Sequence, residues 1–176
     1  MMEGIMKSRT LVVLGMSLAV MLANIAPAAQ AGEKRELTYV KTYSKSISKS
    51  SFMIEDVPNH EVMQEIKLQQ FRYSGTDFKP VEEWVHIHTD QTDGSGTHKG
   101  YFFMVLEGGD QTYGTFEGRH KTLTQADGAW SSTWDGNYRY LGGTGKYKRI
   151  KGAGTYKGRA SPKEPFYEEG RETIEY

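Results

Sequence analysis

From about residue 37 onward, apolar and polar positions alternate with a period near two, and glycine or aspartate breaks the alternation roughly every eight to twelve residues. This is the periodicity of strands joined by tight turns. The strands it predicts are Leu37–Tyr43, Ser46–Glu55, Glu61–Ser74, Val81–Gln91, Thr97–Glu107, Gln111–Leu123, Ala129–Leu141 and Lys146–Gly158, with a last one near Arg171–Tyr176. Their separators are Asp93-Gly94-Ser95-Gly96, Gly108-Gly109-Asp110, Asp127-Gly128 and Gly142-Gly143-Thr144-Gly145, where glycine takes the positive φ of a tight hairpin at little cost. No segment carries a sustained helical stripe. Glu61–Phe71 comes closest, yet Ile66 and Leu68 alternate with Lys67 and Gln69, which is a strand pattern. The expected fold is all-β: an eight-stranded antiparallel up-and-down barrel with short hairpins, because closure removes unpaired edges that an open sheet would keep.

Centring a turn on Asp93–Gly96 places Trp84 opposite Val105, His86 opposite Phe103 and His88 opposite Tyr101 on one face. Val85, Met104, Ile87, Phe102 and Leu106 then share the other face. Centring the next turn on Gly108–Asp110 sets Phe116 opposite Tyr101 and Tyr113 opposite Met104. Both faces of the middle strands are rich in large apolar side chains, whereas a solvated sheet would show one polar face. One face is expected to line the barrel. The other would form an apolar patch larger than soluble monomers usually carry, which predicts a homo-oligomer.

Composition adds the compartment. Lys7 and Arg9 precede an apolar run from Leu11 to Ala23, and the segment ends in Ala29-Gln30-Ala31, the pattern of a secretory signal cleaved after Ala31. The run is short of the ~20 residues that span a bilayer, so no stable membrane anchor is expected. Residues 1–31 are thus the signal and 32–176 a single barrel domain, secreted or periplasmic. The whole chain balances 22 basic against 22 acidic residues, and the segment removes only Lys7, Arg9 and Glu3, so no charge excess points to nucleic acid. The absence of cysteine excludes disulfides, thiolate metal sites, a thiol nucleophile and a lipidated N-terminus.

The glycine- and lysine-rich stretch Tyr140–Gly158 is no phosphate loop. Gly145-Lys146 is followed by Tyr147, Tyr140 stands where the first glycine belongs, and dinucleotide patterns started at Gly143 or Gly152 end on Lys148 or Lys157. Gly142-Gly143-Thr144-Gly145-Lys146-Tyr147 followed by Gly152-Ala153-Gly154 instead resembles the late hairpin of allene oxide cyclases and dirigent proteins. The resemblance covers mainly Gly100–Gly158, and the Trp134–Leu141 and Glu172–Tyr176 strands fit the same layout. It implies an eight-stranded barrel, often trimeric, that holds an apolar small molecule and guides its cyclisation or coupling by shape. No pocket residue of the cyclases is carried over, and a cysteine of their pocket has no counterpart here.

The candidate ligand-binding residues are Trp84, His86, His88, Tyr101, Phe103 and Phe116, and the candidate acid or base groups are His86, His88 and Tyr101, with Glu82, Glu83 and Glu117 as partners unless solvated at strand ends. A metal would need a third ligand beside His86 and His88; the pairing above sets His98 opposite Arg119, away from them, so neither metal nor cofactor is expected. Trp130, Trp134, Tyr138 and Tyr140 fall on one face of one strand and either fill the core or wall a cavity. Lys146, Lys148, Arg149, Lys151, Lys157 and Arg159 form no clean stripe and read as a solvated, charge-protected edge. The leading functional expectation is an exported barrel that binds a small apolar or amphipathic molecule in its lumen without assignable catalysis. The alternatives are an isomerase or cyclase acting on an oxidised lipid or polyketide, and a structural barrel with a packed lumen.

Overall fold

A computed structural model describes residues 32–74 and 77–176. Residues 1–31, expected from the sequence to be a secretory signal, lie outside the described residues. Eight strands follow in chain order: β1 Lys34–Ile54, β2 His60–Tyr73, β3 Pro80–Thr92, β4 Ser95–Leu106, β5 Gln111–Thr124, β6 Trp130–Gly143, β7 Lys151–Ala160 and β8 Tyr167–Glu175. Each pairs antiparallel with the next, and β8 returns to β1 to close the barrel. Among the described residues no helix is long and apolar enough to cross a membrane.

Local chemistry moves several boundaries from their expected places. Leu37–Tyr43 and Ser46–Glu55 are one strand, because Ser44-Lys45 offers no turn residue and the ladder to β2 runs on through irregularities at Lys41/Tyr43 and Ser46/Ser48. Lys146 does not begin a strand: Gly145–Tyr147 makes a 3₁₀ turn that drives Tyr147 into the core, and β7 starts at Lys151. β8 begins at Tyr167 rather than Arg171. Closure also leaves one edge. Among the described residues, β1 beyond Lys41 pairs only with β2, and Lys45, Lys49 and a run of serines occupy that free stretch, which discourages pairing with another chain.

Register is where the sequence-based pairing fails. The loop between β3 and β4 is two residues, Asp93 (φ 52°) and Gly94 (φ 72°), both left-handed as a type I′ turn requires. Ser95 and Gly96 therefore belong to β4, and Trp84 pairs with Phe103, His86 with Tyr101 and His88 with Lys99. This shift of two positions preserves the faces. The next loop runs from Leu106 to Asp110 between the paired Val105 and Gln111, so Phe116 pairs with Gly100, one position from the expected Tyr101. A shift of one position moves the side chain to the opposite face of the sheet.

One end of the barrel is plugged. Phe78, between β2 and β3, is fully buried and meets Tyr73, Tyr140 and Tyr147 edge-on at ring separations of 5.4, 6.2 and 5.5 Å. Leu106, Ile150 and Ile174 complete the plug. Higher in the barrel, aromatic rings lie flat over cross-strand glycines. A Cβ on Gly170 would stand 2.3 Å from the Tyr39 ring, and one on Gly158 2.2 Å from the Trp134 ring. Gly170→Ala is accordingly expected to lower the unfolding free energy by about 1–3 kcal/mol through overpacking against Tyr39, measured by urea denaturation.

Candidate functional site

Above the plug the lumen holds a cavity of about 480 Å³, toward the end that carries the β1–β2, β3–β4, β5–β6 and β7–β8 connections. Its two sides differ in chemistry. Residues Phe102 and Met104 of β4, Phe116 of β5, Trp134 and Tyr138 of β6 and Phe166 before β8 supply an aromatic wall, with Phe166 stacked on Trp134 at 5.4 Å. Residues of β1, β2, β3 and β8 supply a polar wall.

The polar wall is centred on Lys41. Alternation from Leu37 and Tyr39 carries it inward, where its ammonium donates to Glu83 Oε2 at 2.7 Å and to Gln69 Oε1 at 3.2 Å, and pairs with Glu168 Oε1 at 2.9 Å. The rings of Phe71 and Tyr39 face the same ammonium at 4.6 and 5.4 Å. Burial works against the charge of Lys41, but the Glu168 and Glu83 carboxylates outweigh it and hold the amine protonated above its ordinary range. Burial pushes the Glu83 carboxyl up to about 7, partly offset by Lys41. Glu168 accepts a second bond from Trp134 Nε1 at 2.8 Å. Deeper, Glu172 accepts three phenolic hydroxyls, from Tyr73 at 3.0 Å, Tyr138 at 2.6 Å and Tyr140 at 2.9 Å, while burial raises its own pKa and those of the tyrosines.

Two histidines also face the lumen. His98 Nε2 and the Tyr156 hydroxyl share a hydrogen bond of 2.6 Å, and the His98 and His120 rings lie 5.9 Å apart. Burial lowers the His98 pKa to about 4, so its imidazole is neutral at physiological pH. Burial also lowers that of His120, whose Nε2 is bonded to Gln91 Oε1 at 2.7 Å.

Of the six residues expected to bind ligand, only Phe116 reaches the cavity. Trp84, His86, His88, Tyr101 and Phe103 stand on the outer face, in phase with one another and out of phase with the inward Glu83, Val85 and Ile87. Tyr101 is 63% exposed. The expected acid or base groups His86, His88 and Tyr101 are therefore outside the lumen, because only the β4–β5 loop length decides which side of the middle strands meets the aromatic β6 face. That β6 face is as alternation predicts: Tyr138 and Tyr140 are buried in the core, and Trp130 and Trp134 line the cavity above them. Glu83, a candidate partner group unless solvated at its strand end, is buried. Among the described residues no group of three His, Asp or Glu side chains is placed to hold a metal ion.

The polar residues sequence reasoning missed carried one usable signal. Glu83 is in phase with Val85 and Ile87, and Lys41 with Leu37 and Tyr39. A charge in step with an apolar series is inward-facing, and a buried charge needs a partner. Glu168 and Glu172 had no such mark, since β8 alternates charged residues on both faces.

Fold and site together define a closed eight-stranded antiparallel barrel with an internal, two-sided cavity. No protein-family model matches the chain, and no curated protein matches it.

Proposed function

We propose that this protein is an exported lumenal carrier: it binds a small amphipathic molecule inside the barrel, with the apolar body against the β4–β6 wall and the polar group toward Lys41, Gln69 and Glu83. The supporting observation is the 480 Å³ cavity, whose volume is in the usual range for small-molecule sites and whose apolar wall faces a few converging polar groups. A packed lumen is at odds with that volume. The proposed kinship with allene oxide cyclase-like barrels agrees with the closed eight-strand topology, though a shared fold leaves the chemistry to the site.

Trp130 and Trp134 give the test, since both line the cavity. Titrating the protein with a neutral lipophilic probe such as N-phenylnaphthylamine is expected to quench their fluorescence saturably and to raise that of the probe. Ala160→Trp, which places a large side chain among the lining residues, is expected to weaken this at least about tenfold. Unchanged probe binding in that variant sinks the lumen as the site. Native mass spectrometry then reports the molecule carried from the host; recovery of two interconverting isomers would favour the cyclase alternative.

The outer face carries the proposed self-association. Leu68, Trp84, Phe103 and Tyr113 are successive cross-strand partners over β2–β5, with Trp84 and Tyr113 exposed at 37% and 43%. A contiguous outward apolar band of this kind is a common interaction surface. Sedimentation velocity is expected to show an oligomer, and the double substitution Trp84→Glu with Tyr113→Glu a monomer; a wild-type monomer at tens of micromolar would refute the proposal.

A further inference from the structure

Glu83 differs from the two buried glutamates of β8, Glu168 and Glu172, in how its carboxylate is partnered. Its residue is 3% exposed and lines the cavity, yet only Oε2 has a protein partner, Lys41; among the described residues no donor reaches Oε1. Glu168 uses both oxygens, one toward Lys41 and one on Trp134, and Glu172 takes three phenols. Lys41 has no donor to spare, since its three hydrogens are directed to Glu83, Glu168 and Gln69. Glu83 Oε1 is thus a carboxyl oxygen without a protein donor, open to the cavity from its polar wall.

The charges around it are also uneven. Toward the mouth, positive and negative groups match: Lys67 pairs with Glu65 at 3.2 Å, and Lys49 acts on Glu61. Around Glu83 they do not. Lys41 from β1 is the one ammonium among three carboxyls, Glu83 from β3 and Glu168 and Glu172 from β8. Gln69 is the neighbour on β2, Met104 the neighbour on β4, and His98 on that strand is neutral. An ionised Glu83 therefore leaves the deep lumen short of a positive charge. Aromatic rings, which attract cations by their faces, make up the opposite wall.

We propose, on the basis of the lumenal-carrier reading above, that the molecule carried is an organic cation: an apolar, ring-sized body bearing a primary or secondary ammonium that donates to Glu83 Oε1 and supplies the missing charge. Carboxylate-headed lipids are rejected by the same surplus of negative charge. Binding is proton-linked. The ammonium favours ionised Glu83, so complex formation near neutrality releases protons, and acidification weakens binding by protonating Glu83.

Calorimetry of the full barrel with three probes that share one body, naphthylmethylamine, naphthylmethanol and naphthoate, tests this. At about pH 8 the amine is expected to bind at least about tenfold tighter than either other probe, and this advantage is expected to shrink at about pH 5. Glu83→Gln, which keeps shape and removes the charge, should lose the preference for the amine over the alcohol. Repeating the wild-type titration near pH 7 in two buffers of different ionisation enthalpy should show proton release with the amine and none with the alcohol, a readout that does not depend on the variant folding. Equal affinity for amine and alcohol, an amine preference that survives in Glu83→Gln, or no proton release overturns the inference while leaving the carrier reading intact. Failure of all three probes to bind defeats the carrier reading and this inference with it.

Discussion

Replacing Lys41 by methionine is expected to lower the unfolding free energy by about 3–5 kcal/mol near pH 7.5, because it strips the cation from two buried carboxylates without unburying them. The loss should depend on pH in a defined direction. In the fold Glu83 titrates at about 7 against an ordinary 4.5, so its carboxyl is more readily protonated folded than unfolded. A group of that kind contributes stability that is fully present below about pH 4.5 and is lost as pH rises through about 7. Without Lys41 the Glu83 carboxyl resists ionisation still more, and the penalty for the variant therefore widens from acid toward alkaline pH. At about pH 4.5 the neutral Glu83 carboxyl no longer needs the ammonium, and the deficit of the variant should be smaller than at pH 7.5. Urea unfolding across pH 4–8 measures this; a deficit constant over that range would mean that Lys41 acts by packing alone.

The second large effect lies at the other end of the barrel. Phe78→Ala is expected to cost about 3–5 kcal/mol, since the ring is fully buried among Tyr73, Tyr140 and Tyr147 and the space it leaves is walled by rigid aromatic rings that collapse poorly. No titrating group is removed, so this deficit should be flat between pH 4 and 8, in contrast to that of Lys41→Met. The plug also closes the lumen below the cavity. Thermal and urea unfolding of the two variants side by side separates an electrostatic anchor from a packing anchor in one barrel; a cost below about 1 kcal/mol for Phe78→Ala would show that the plug reseals without its central ring.

Short-range chemistry accounts for what could be read in advance. Asp93-Gly94 and Asp127-Gly128 announce tight turns because left-handed backbone favours those residues, and the strands between them follow from alternation. The face shared by Trp134, Tyr138 and Tyr140 was legible for the same reason, since it depends on one strand alone. The site was less so. Whether Phe116 or Tyr101 looks inward depends on the number of residues left unpaired between Val105 and Gln111, and hairpins of either parity are open to a Gly-Gly-Asp sequence.

Turn positions, strand periodicity and all-β class were thus determined by the chain's own residues, each acting on its near neighbours. Which face became the lumen, and that Lys41, Glu83 and Glu168 meet inside it, was decided only by closure. Those three stand on β1, β3 and β8, and no local preference relates them; a buried ammonium and its carboxylates are held together because the ring of strands brings them within hydrogen-bond reach and removes the water that would otherwise solvate each alone.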